Sequence, residues 1–92
     1  SPREVEPVLR EVTGCEYAIV LGLPDDERGQ IVVAVLVEAT DTRDDQALRA
    51  ALRDRLSAYK VPRRFLRLTR TEVPMLSSAK PDMPAVAAMF DD

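Results

Sequence analysis

Two apolar runs, residues 17–23 and 31–37, constrain the fold of this chain more than any other feature. Both are rich in strand-forming residues and bounded by turn formers, so they read as β-strands rather than short helices. The first closes at Gly22 and Pro24. Between the runs lies Asp25-Asp26-Glu27-Arg28-Gly29-Gln30, polar and turn-forming, which makes an antiparallel hairpin the natural pairing. Neither run alternates with polar residues. That predicts central strands covered by helices or by a partner surface, not strands with one wetted face.

The flanking segments supply the covering layers. Ser1-Pro2-Arg3-Glu4 has the form of a capping box, with Ser1 as N-cap, Pro2 at N1 and Glu4 at N3. Val5, Val8, Leu9 and Val12 then recur at helical spacing until Gly14 stops the helix. A second helix is expected to be capped by Thr42, with Asp45 at N3, and to bury Leu48, Ala51, Leu52 and Leu56. Arg49, Arg53, Asp54 and Arg55 fall mostly on its other side. Several arginines on one helix can hold a phosphate, although a solvated face is the commoner outcome. Residues 63–69 read as a third strand with Leu66 and Leu68 on one face, and residues 83–90, with Val86, Met89 and Phe90, as a short closing helix. The order is αββαβα. The fold class is therefore α+β: a small three-stranded sheet, an antiparallel hairpin plus a third strand, covered by helices.

Composition narrows the function. Residues 1–92 form one small domain with only four aromatic residues, no Trp and no His, so the core is aliphatic and histidine catalysis is excluded. The single cysteine, Cys15, rules out an internal disulfide or a cysteine-cluster metal site and reads as a buried, inert thiol. A net charge of −3 with interspersed signs leaves no footprint for nucleic acid. No apolar run approaches a membrane span, and a cytoplasmic setting is expected. The start at Ser1, directly at a helix and without Met, suggests a domain cut from a longer protein.

One segment is left over. Residues 73–82, Val-Pro-Met-Leu-Ser-Ser-Ala-Lys-Pro-Asp, form a shaped loop between two prolines that cannot donate to a strand ladder. It is longer than most connections in a compact domain, which favours a functional role. Among eleven arginines the chain has two lysines, Lys60 and Lys80. Lys60 reads as structural. Lys80, at the loop, is either a solvated cation or a placed one: a compact charge on a flexible stem.

Four motifs then align in order. Ser1-Pro2-Arg3-Glu4-Val5-Glu6, Pro24-Asp25-Asp26-Glu27-Arg28-Gly29-Gln30, Tyr59-Lys60-Val61-Pro62 and Ser78-Ala79-Lys80 together resemble the C-terminal domain of the adenylate-forming enzymes. That superfamily holds acyl-CoA synthetases, luciferases and peptide-synthetase adenylation domains. The resemblance covers the whole chain and is nearest to acyl- or aryl-CoA synthetases. It implies that Lys80 is the adenylation lysine, acting where a carboxylic acid meets ATP. It further implies a partner N-terminal domain that binds ATP, Mg²⁺ and the acyl group, coenzyme A as co-substrate, and an inactive isolated domain. Arg53 is a lesser candidate for contacting a coenzyme A phosphate. A peptide-synthetase adenylation domain or a carrier-protein acyl ligase is the alternative within the family; a non-catalytic α+β regulatory module is the alternative outside it. The chain departs from the family at the loop: Ala79 replaces a glycine, Leu76 a hydroxyl, Met75 and Met83 commonly basic residues, and Pro81 follows the lysine. These changes predict a stiffer loop with poorer access to positive φ.

Overall fold

The computed structural model describes residues 2–91. Its sheet has three strands, Tyr17–Asp25 (β1), Gly29–Val37 (β2) and Arg64–Leu68 (β3), with β2 in the middle. β1 and β2 are the expected antiparallel hairpin, in register from Tyr17 opposite Val37 to Asp25 opposite Gly29. The Asp25 carboxylate accepts the N–H groups of Glu27 and Arg28 at 3.2 and 2.9 Å and closes the turn. β3 runs parallel to β2, so the sheet is mixed, and the helix Asp45–Arg53 (α2) is the crossover that parallel pairing requires.

Residues Val33 to Val37 of β2 are fully buried, because the strand is covered on both faces. Alternation sorts its side chains. Ala34 and Leu36 join Val5 and Leu9 of the helix Pro2–Thr13 (α1), Leu48 and Leu52 of α2, and Phe65. Val33, Val35 and Val37 join Ile19, Val73, and Val86 and Phe90 from the chain's end. The second group includes one short helix, Met83–Ala88 (α3), capped by Asp82, whose carboxylate accepts the Ala85 N–H at 3.2 Å.

Several local expectations change. β1 is an edge strand, not a central one, and its outward Ala18 N–H donates to the Glu6 carboxylate at 3.2 Å. The cap of α2 is Asp44, which accepts the Ala47 N–H at 2.8 Å, not Thr42. Asp41 holds the Arg43 backbone N–H at 2.9 Å and its guanidinium at 2.6 Å, so Thr42 sits inside a local turn and the helix starts later. Leu56 lies past the helix end and is half-buried, and Met89 is exposed. The expected cap at Ser1 lies outside the described residues. Gly14 does stop α1: it sits at φ +70°, and a Cβ there would meet the Thr40 hydroxyl at 2.3 Å. Cys15 is buried, and that burial raises its thiol pKa. Among the described residues no helix is long and apolar enough to cross a membrane.

Candidate functional site

The Lys80 loop is a miniature hairpin. Met75 and Pro81 form a lone antiparallel bridge, the Leu76 N–H donates to the Lys80 carbonyl at 2.8 Å, and the Ala79 N–H donates to the Leu76 carbonyl at 3.0 Å. A turn of this kind ends on a residue in the left-handed region, and Ala79 takes that position at φ +64°. The expected loss of positive φ on replacing glycine therefore does not occur; the backbone keeps the shape and alanine bears the strain. Residues 75–80 are all exposed, and the Lys80 ammonium has no hydrogen-bond or ion-pair partner among the described residues.

The hairpin is anchored below its tip. Val73 is buried in the second core cluster, and the Asp82 N–H donates to the Pro74 carbonyl at 2.9 Å. Upstream lies the 3₁₀ turn Arg70–Glu72, capped reciprocally: the Thr69 N–H and hydroxyl donate to the Glu72 carboxylate at 2.8 and 3.0 Å. Those donors hold the Glu72 carboxyl below its usual pKa.

The second candidate region stands at the other end of β3. Arg49 and Arg53, one helical turn apart on α2, line a shallow pocket of about 200 Å³ with Ala58, Val61 and Arg63. Arg49 donates to the Arg63 carbonyl at 3.0 Å. No carboxylate pairs with Arg49, Arg53 or Arg63 among the described residues. A broader groove of about 620 Å³ adjoins it, lined by Arg28, Ile31, Val32, Tyr59 and Arg63. Tyr59 is 78% exposed. An aromatic ring on an apolar floor with arginines around it suits a ligand with a flat apolar part and phosphates.

The lysine and the arginine pocket are not brought together. Arg63 precedes β3 and Thr69 follows it, so the two regions are separated by a five-residue strand of about 16 Å. Arg55, grouped with the other helix arginines by sequence, instead pairs with Glu11 and lowers that carboxyl's pKa. Arg63 was not singled out from sequence. The signal available was the i, i+4 pair Arg49 and Arg53 together with an arginine directly after the proline that follows the helix. Lys60 is structural as expected: it pairs with Glu4 and lies 5.6 Å from the Tyr59 ring centroid, and the pairing raises its pKa. Among the described residues no group of three or more Asp, Glu or Cys could hold a metal ion.

Comparison with known proteins places these features in a family context. The profile of the AMP-binding enzyme C-terminal domain matches residues 4–80. The chain is 33% identical to a medium/long-chain-fatty-acid–CoA ligase of Mycobacterium tuberculosis, over 97% of this chain and 17% of that protein. It is 38% identical to a 2-succinylbenzoate–CoA ligase of Listeria monocytogenes, over 70% of this chain and 14% of that one. The structure of an amide bond synthetase from Marinactinospora thermotolerans superposes with a TM-score of 0.78 at 36% identity, covering 99% of this chain and 18% of that one. The chain thus spans about a sixth of the length of these relatives.

Proposed function

The chain belongs to the AMP-binding enzyme C-terminal domain family, and from that premise we propose that it is the mobile cap of an ATP-dependent carboxylate–CoA ligase with Lys80 as its catalytic group. In the first half-reaction a carboxylate oxygen attacks the α-phosphorus of ATP, giving an acyl-adenylate and releasing pyrophosphate. In the second a thiol sulfur attacks the acyl carbon, giving a thioester and releasing AMP and the thiol proton. Negative charge gathers where the first attack occurs. An ammonium delivered there, with water excluded, stabilises the transition state and holds together two anions that otherwise repel. The observation that carries this reading is a lysine, without a hydrogen-bond or ion-pair partner among the described residues, in the exposed turn of a preshaped hairpin.

The arginine pocket serves the second half-reaction. Arg53, with Arg49 and Arg63, lines a pocket suited to the phosphates of coenzyme A, and Tyr59 in the adjoining groove offers a surface for its base. Because the two regions lie at opposite ends of β3, one docked orientation cannot present both. The cap withdraws Lys80 and turns its arginine end toward the adenylate, a conformational gate between the steps. ATP, Mg²⁺ and the acyl group are assigned to a separate N-terminal domain. The same reading carries the expectation of a cytoplasmic enzyme whose isolated cap has no turnover.

The test uses the complete enzyme. Lys80→Ala lowers carboxylate-dependent ATP–pyrophosphate exchange by roughly 10² to 10³, the scale for losing one transition-state donor. Thioester formation from supplied acyl-adenylate is spared. Arg53→Ala does the reverse: exchange persists and KM for coenzyme A rises. Equal loss of both steps in Lys80→Ala refutes the assignment. The likeness to an amide bond synthetase favours a second reading, in which an amine takes the acyl group directly; Arg53→Ala then leaves product formation unchanged.

A further inference from the structure

Three strand ends meet beside the root of the Lys80 hairpin. Glu16 stands just before β1, Glu38 just after β2, and Arg70 just past β3, because Tyr17, Val37 and Leu68 are in register across the sheet. The Arg70 side chain reaches over β2 to grip the Glu16 carboxylate with two prongs, Nε to Oε2 at 3.2 Å and Nη2 to Oε1 at 2.5 Å. Its backbone N–H donates to the Glu38 carboxylate at 2.6 Å. Glu38 itself is held at φ +55°, an uncommon conformation for a residue with a side chain, while its N–H donates to the Leu68 carbonyl at 2.9 Å. Strain of this kind persists only where the surroundings fix it.

Three residues separate Arg70 from Pro74, where the exposed hairpin begins. Val73 anchors the entry to the hairpin, and the Asp82–Pro74 hydrogen bond with the Asp82-capped α3 anchors its exit. The fork to Glu16 adds a second side-chain hold on the entry side. We propose that the Glu16–Arg70–Glu38 clamp is a positioning device that sets the direction in which the hairpin presents Lys80, so that Arg70 acts on adenylation through the lysine without touching substrate. The inference rests on the assignment of Lys80 above.

The complete enzyme carrying Arg70→Ala, Arg70→Lys, Glu16→Gln or Lys80→Ala tests it. Arg70→Ala keeps the backbone donor to Glu38 and removes only the fork. It lowers kcat for ATP–pyrophosphate exchange roughly tenfold to a hundredfold, the scale of a misplaced reacting group. KM for ATP and for the carboxylate, and thioester formation from supplied acyl-adenylate, stay near the parent values. Arg70→Lys keeps the charge without the fork, and Glu16→Gln keeps an acceptor without the charge; both lie between parent and Arg70→Ala. Undiminished exchange in Arg70→Ala, with exchange lost in Lys80→Ala, overturns the clamp and leaves the lysine's role standing. Equal losses in both half-reactions overturn it too, since a folding defect acts that way. Normal exchange in Lys80→Ala removes the assignment beneath it.

Discussion

Ala79 shows how much one residue's backbone matters to the loop. The turn closes only with a left-handed residue at this position, and alanine adopts it at φ +64° against its preference. Glycine has no such penalty, but it loses more freedom on folding, so the two effects partly cancel. Ala79→Gly is expected to stabilise the domain by about 0.5–1 kcal/mol, measured by chemical denaturation. No gain would mean that the hairpin is not held in this turn. Lys80 stood out in the sequence as a candidate, because one of only two lysines in an arginine-rich chain stands between two prolines in a long loop. The persistence of the left-handed turn was not, since an alanine advertises no positive φ.

At the scale of elements, the Glu4-Val5-Glu6 triplet is explained by three separate contacts. Glu4 pairs with Lys60, Val5 enters the core, and Glu6 satisfies the open edge of β1. Helical spacing made Val5 predictable; the partners of the two glutamates are brought near only by folding. Pro7 is out of place by the same local rules. It lies inside α1, where it removes one backbone hydrogen bond and crowds the preceding turn. Pro7→Ala is expected to raise stability by about 1–3 kcal/mol, read as a higher denaturation midpoint. The Asp44 cap illustrates the opposite failure. Thr42 and Asp44 are both good N-caps, and only the Asp41–Arg43 contact decides between them.

The whole molecule is a sheet between two unequal layers, laced on its surface by acidic and basic partners from distant segments. Lys60 lowers the pKa of Glu4, Arg55 that of Glu11, Arg70 that of Glu16, and the Thr69 donors that of Glu72. Each carboxyl is depressed in the folded state, so its contribution is present above the ordinary value of 4.5 and is lost as pH falls below it. Thermal stability should therefore change little from about pH 7 to 5 and fall below about pH 4.5, with a smaller loss at about 1 M salt. A stability that rises on acidification would contradict these pairings. The sequence alone determined the αββαβα order, the aliphatic core and the exposed lysine loop, because periodicity, turn chemistry and composition are local properties of a chain. Only the tertiary structure decided that β1 is an edge, that β3 is parallel to β2, that Arg63 joins Arg49 and Arg53, and that Arg70 spans three strand ends. Those outcomes depend on which segments become neighbours, and neighbours far apart in the chain are chosen by packing, not by any residue's own preference.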